Sequence, residues 1–333
     1  MAATAIFALR VNVRNLDRAE QFYHSQGMIE DIGMRLVVDP GRPHTVIAGT
    51  EGRALRSVAL RWPYDPYMHL VLAESPDSPG PVSPVDPEQT GPTTFTLLVS
   101  DLDGELAGVS ARGGRVVRPP AETQRLLGKS RAALVTDPDG NPVELISLEH
   151  EPGWDNSGCR VAPSDRTFLH VELNTENFRE VSAFYGGFGF EHNPLNNLRE
   201  GWARLPDDDP EDPYVKAFGR SIVGHLAGLN FARLPTDHSQ MHLEIMGWKP
   251  GNLIDPVRPQ TFHQRGIMRM CFKTTDVDGA LDDIRRRGLP VLQERQRCGL
   301  GWGDTEWLFF HDPDGNIATF EEWFPAGHWG ERC

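Results

Sequence analysis

Asp137-Pro138-Asp139-Gly140-Asn141 and Asp312-Pro313-Asp314-Gly315-Asn316 are the same five residues written twice, 175 positions apart. The match runs upstream without a gap. Asp101-Leu102-Asp103-Gly104 lies over Asp276-Val277-Asp278-Gly279, and Gly113 over Gly288, at the same offset. A repeat of this length fixes architecture before any local motif is weighed. Each five-residue phrase reads as a tight turn, because proline presets φ and glycine tolerates positive φ. By itself the phrase predicts a hairpin and no chemistry.

Working outward, apolar runs follow both turns, Val143-Glu144-Leu145-Ile146 and Ile317-Ala318-Thr319-Phe320, and read as strands. Upstream, Leu102, Leu106 and Val109, and likewise Val277, Leu281 and Ile284, are spaced for one face of a helix. A second repeat occupies the rest of each half. Phe22-Tyr23 and Phe184-Tyr185 each close a short helical stretch behind a strand-like run, Ile6–Val13 and Phe168–Leu173. The chain therefore reads as four modules, at about 4–75, 92–149, 166–249 and 265–324. They are grouped as two sequence domains, 1–150 and 165–333. The stretch from Ser75 through Pro92 carries six prolines and marks a spacer, and Glu149 to Asp165 marks a polar link between halves.

Composition narrows the class. The 39% hydrophobic and 24% charged content suits an ordinary globular protein. No apolar run is long enough to span a membrane, and no secretory leader opens the chain, so the expected location is cytoplasmic. Cys159, Cys271, Cys298 and Cys333 have no paired spacing and read as reduced thiols. A net charge of -14 argues against a nucleic-acid partner. Much of that acid lies in Pro206–Pro213, read as an exposed loop. The expected partner is a small-molecule substrate, and the expected assembly a monomer or homodimer.

Four strand-helix-strand modules, with a DPDGN turn before the last strand of two of them, resemble the vicinal oxygen chelate superfamily. This superfamily includes glyoxalases, extradiol dioxygenases and bleomycin-binding proteins. The resemblance covers almost the whole chain and is specific for fold but weak for reaction. It implies an α+β fold of four βαβββ modules, paired into two cup-shaped half-barrels of mixed sheet. It also implies metal ligands from the first and last strand of each module, the last being a Glu four residues beyond the turn glycine.

Counting by that rule gives a first-strand column of Ala8, Thr94, His170 and Arg269. The last-strand column is Val71, Glu144, Glu244 and Thr319. Three ligand-type residues remain: His170, Glu144 and Glu244. Pairing modules one with two and three with four would split them, leaving His170 and Glu244 beside a guanidinium that repels a cation. Pairing two with three gathers all three in one cup with Thr94, and leaves Ala8, Val71, Arg269 and Thr319 in the other. The second pairing is preferred for economy. One imidazole and two carboxylates suit a divalent ion: Fe, Mn, Ni, Co, Zn or Mg. Against this stand plainer readings. A strand His is commonly a hydrogen-bonded structural residue, and a strand Glu is explained by alternation wherever its face is solvated.

The resemblance implies a metal-dependent enzyme that chelates vicinal oxygens of a small oxygenated substrate. The chemistry would be that of a glyoxalase-like lyase or isomerase passing through an enolate-type intermediate. Glu144 or Glu244 would be the catalytic base. Thr94, Arg269, Trp302 and Trp307 are candidate substrate contacts. One rival is an extradiol-type non-heme iron dioxygenase built on modules three and four. Another is a metal-free binding or resistance protein, or a cofactor-independent enzyme, using an aromatic-lined cup. His311, next to the second turn, is expected at the surface.

Overall fold

The computed structural model describes residues 3–38, 55–74, 89–125, 128–149, 157–162, 166–192, 226–254, 259–300, 303–325 and 328. Trp302, the acidic stretch 206–213 and most of the 75–92 spacer lie outside the described residues.

Module one consists of β1 (Ala3–Val13), α1 (Leu16–His24), β2 (Ile29–Val38), β3 (Leu55–Arg61) and β4 (His69–Glu74). Module two has β5 (Gly91–Leu98), α2 (Leu102–Val109), β6 (Arg115–Arg125), β7 (Gly128–Thr136) and β8 (Pro142–Leu148). Module three has β9 (Thr167–Thr175), α3 (Phe178–Gly186), β10 (Glu191–His192), β11 (Leu226–Arg233) and β12 (His242–Trp248). Module four has β13 (Gly266–Thr274), α4 (Val277–Arg286), β14 (Val291–Leu300), β15 (Gly303–His311) and β16 (Ile317–Phe324).

The repeated upstream phrase turns out to be a helix start. Asp101 and Asp276 each cap their helix by accepting the backbone N–H of Gly104 and Gly279, both at 2.9 Å. Gly113 (φ 89°) and Gly288 (φ 72°) follow α2 and α4, where the chain leaves the helix through a left-handed residue. Along α4, Val277, Ala280, Leu281 and Ile284 are buried, the stripe expected from their spacing.

The DPDGN phrase is a side-chain-locked turn. Asp137 accepts from the backbone N–H of Asp139 and Asn141, both at 2.9 Å, and from Nδ2 of Asn141 at 2.8 Å. Asp312 accepts from Asp314, Asn316 and Nδ2 of Asn316 at 3.0, 2.8 and 2.8 Å. Gly140 and Gly315 adopt φ of 88° and 76°. Modules one and three make a related turn from different residues. Asp65 accepts from Tyr67 and Met68, and Asp237 from Ser239.

Among the described residues, two eight-stranded sheets result. One runs β14-β15-β16-β13-β1-β4-β3-β2, the other β10-β11-β12-β9-β5-β8-β7-β6. Within each module the first and last strands are parallel; between modules the first strands are antiparallel, β1 on β13 and β5 on β9. The pairing is thus one with four and two with three. Two compact units follow. Unit 1 takes in Met1–Val82, Gly187–Gly189 and Val257–Cys333, and unit 2 takes in Ser83–Gly186 and Phe190–Pro256. The sequence domains 1–150 and 165–333 describe the repeat along the chain, but the compact units cut across that division. The cause is that the first strands of modules one and two pair with the opposite half. His311 is buried rather than at the surface, its Nε2 3.0 Å from the carbonyl of Gln260. Among the described residues, no helix is long and apolar enough to cross a membrane.

Candidate functional site

In unit 2 four neighbouring strands, β8, β5, β9 and β12, present polar side chains in lateral register. Thr96 is opposite both Glu144 and His170, and Glu172 is opposite both Glu244 and Thr94. Side chains two apart on a strand share a face, so His170 brings Glu172 with it and Thr94 brings Thr96.

The three ligand-type residues meet. Nε2 of His170 lies 2.9 Å from Oε2 of Glu244 and 3.9 Å from Oε2 of Glu144. The Thr96 hydroxyl joins them, donating to Glu144 at 3.0 Å and standing 2.8 Å from Nε2 of His170. A hydroxyl has one proton to give. With it committed to Glu144, the Thr96 oxygen accepts at His170, so Nε2 carries a hydrogen there. The ring of Phe231 packs edge-on against His170 at 5.6 Å and stacks on His242 at 4.3 Å.

Electrostatically the cup is strained toward negative charge. Glu172, half-buried and bonded by Nδ2 of Asn174 at 3.0 Å, is pushed up to about 8. Burial is the first cause, followed by the charges of Glu244 and Glu144. His242 is held down to about 3, chiefly by burial, and its Nδ1 faces the carbonyls of Gln240 (2.7 Å) and Leu169 (3.3 Å). It is therefore a neutral structural histidine that donates to the backbone.

The donor types fit a divalent ion: one imidazole nitrogen and carboxylates, crowded where a cation would relieve their repulsion. Two donors each about 2.1 Å from a shared ion stand roughly 3 Å apart at a right angle, close to the His170–Glu244 separation. Among the described residues, however, no group of three or more His, Cys, Asp or Glu is placed so that it could hold a metal ion as it stands. Nε2 of His170 is engaged by Glu244 and Thr96, and those contacts must give way before it can ligate.

Unit 1 holds the other column. Ala8, Val71 and Arg269 line a cavity of ≈ 90 Å³, together with Arg10, Trp307, Phe309, Glu321 and Trp323. Thr319 is fully buried on β16, opposite Cys271. Arg269 and Thr319 are thus in a different sheet from His170 and Glu244. The module three-and-four cup required by the extradiol reading is not built.

Residues 5–145 and 167–320 match the model of the Glyoxalase/Bleomycin resistance protein/Dioxygenase superfamily. The chain belongs to that superfamily. Among solved structures similar to this member, glyoxalase I from Zea mays is 16% identical, with a TM-score of 0.61 over 96% of this chain and 92% of that chain. A putative dioxygenase from Bacillus subtilis subsp. subtilis str. 168 is 12% identical, with a TM-score of 0.57 over 99% and 89%. At these identities the likeness is one of fold. No curated protein matches this superfamily member.

Counting along the sequence missed Arg10, Thr96, Glu172 and Cys271, each two residues beyond a first-strand position. The signal was available. Strand alternation puts the i+2 side chain on the same face as the position that was counted.

Proposed function

We propose that the cup of unit 2 is the active site of a metal-dependent enzyme acting on a small substrate with two neighbouring oxygens. The observation that supports this most is the approach of both Glu144 and Glu244 to His170, with β8 and β9 brought to either side of β5 by the two-with-three pairing. In this reading His170, Glu244 and Glu144 hold the ion, which is Fe, Mn, Ni, Co, Zn or Mg. A bound ion would supply Lewis-acid polarisation of the substrate oxygens.

The chain's own residues then have distinct tasks. Glu244 sits closest to His170 and serves as an anchoring carboxylate. Glu144 is farther from the imidazole and is held by a hydroxyl, so it is the better placed to take a proton from carbon and return it, as glyoxalase-like isomerisation or lyase chemistry requires. Thr94 has a buried hydroxyl with no hydrogen-bond partner among the described residues, which leaves it to meet a substrate oxygen. Phe231 excludes water from one side of His170.

Elemental analysis of the purified full-length protein tests the reading. The expected result is one divalent ion per chain, lost in His170→Ala while the variant stays folded. A wild-type protein that takes up no divalent ion, or a His170→Ala variant that keeps its full complement, would sink it.

A further inference from the structure

In unit 1, Arg10 and Arg269 face each other directly across the antiparallel β1–β13 pair, and both line the cavity. Like charges in that position repel, and a buried charge with no counter-ion is costly. Arg10 is only 4% exposed. Among the described residues, Nε of Arg10, Nε of Arg269 and Nε1 of Trp307 are buried donors without an acceptor. Arg269 lies over the ring of Phe309 at 5.0 Å, which fixes its plane and leaves its edge to the cavity. Among the described residues Glu321 is the one acid in the lining; burial raises its pKa, outweighing the charge of Arg269, which acts to lower it. Burial, then the charge of Arg269, presses Arg10 down to about 9, as expected of a charge whose partner is missing.

We propose that the unit 1 cavity is a second ligand site, binding a small planar organic carboxylate. Arg10 and Arg269 take the carboxylate, a group that guanidinium forks bind in bidentate fashion. Trp307, Phe309 and Trp323 form the apolar wall for the planar body, and the Trp307 N–H is a further donor to the anionic end. The positions that carry the ligand-type residues in unit 2 are here Ala8, Val71 and Thr319. The site therefore works by charge and aromatic packing.

The test is calorimetric titration of the full-length protein with benzoate, with benzamide as a neutral probe of the same shape, and with inorganic phosphate. EDTA is kept present so that carboxylate binding to a metal in unit 2 does not contribute. Benzoate is expected to bind about tenfold or more tighter than benzamide and than phosphate. Arg10→Gln and Arg269→Gln should each weaken benzoate by about tenfold and leave benzamide unchanged. Arg269→Met should abolish benzoate binding without lowering the ligand-free melting temperature, since it removes an uncompensated charge. Equal binding of benzoate and benzamide overturns the proposal, as does undiminished benzoate binding by a folded Arg269→Gln. No benzoate binding by wild type at about 10 mM, or phosphate binding as tight as benzoate, also overturns it.

Discussion

The hydroxyl of Thr96 stands 2.8 Å from Nε2 of His170 while giving its own proton to Glu144 at 3.0 Å. It orients both side chains without being of a type expected to ligate a metal. Thr96→Val should therefore cost about 1–3 kcal/mol of stability, the usual consequence of removing a donor to a mostly buried carboxylate. Bound divalent ion should be retained. Urea unfolding and elemental analysis of the same preparation check both halves. Loss of the metal with the fold intact would place Thr96 among the ligands.

The two DPDGN turns predict matched losses in separate units. In Asp137→Ala the N–H groups of Asp139 and Asn141 and the Asn141 amide lose one shared acceptor. A loss of about 2–4 kcal/mol is expected, and the same for Asp312→Ala. Gly140→Ala and Gly315→Ala force a Cβ into a left-handed φ and should each cost about 1 kcal/mol or more. The two turns lie in different units, so the Asp137→Ala/Asp312→Ala double variant should lose the sum of the single losses. Denaturant melts of the four single variants and the double variant measure this. A much smaller effect of Asp312→Ala would show that the second turn is not held by its aspartate.

Those turns also explain what the sequence disclosed. The five-residue phrase served as a ruler, because its aspartate fixes the start of the next strand, and it put Glu144 and Thr319 in equivalent places. Modules one and three use Asp65 and Asp237 for a similar turn but surround them with other residues, so no phrase marked them. The pairing of strands was not legible directly. It depends on which first strands pair across the repeat, a long-range choice that no local pattern encodes. It was reached only through the grouping of His170, Glu144 and Glu244. Arg10 escaped notice because it sits in an apolar strand and gains meaning only when β13 brings Arg269 opposite it.

Metal binding at unit 2 should appear as stabilisation with a proton signature. An ion at about 100 times its dissociation constant adds about 2.7 kcal/mol. Excess Mn, Ni, Co or Zn should therefore raise the melting temperature of EDTA-stripped wild type but not of His170→Ala. Because Nε2 of His170 bears a hydrogen in the bonded cluster, ligation through Nε2 must displace it, and in a neutral ring it moves to Nδ1. Nitrogen NMR shifts of the His170 ring should therefore switch from the Nε2–H to the Nδ1–H pattern when Zn is added. A metal-bound protein whose His170 ring keeps the Nε2–H pattern would rule out His170 Nε2 as the ligand atom.

Stability should also fall on the acid side of neutrality through a pair in unit 1. Nε2 of His69 stands 2.8 Å from Oδ2 of Asp31. Burial holds the His69 pKa below its ordinary value, outweighing the pull of Asp31. Burial also acts to raise Asp31, but the hydrogen bonds and charges of His69 and Arg61 together bring it below its ordinary value. A depressed histidine binds its proton more weakly in the native than in the unfolded chain. Its contribution is present above the unfolded pKa of about 6.5 and is lost as pH falls below it. The Asp31 contribution has the same sign but is lost only as pH falls below about 3.9. This pair should thus weaken the fold from about pH 6.5 downward, beside a contribution of the same sign from His242 and one of opposite sign from Glu172. His69→Gln keeps a donor for Asp31 but has no proton to gain, so its urea midpoint should fall less than that of wild type between about pH 6.5 and 5. An unchanged slope in His69→Gln would mean that the acid sensitivity arises at other histidines.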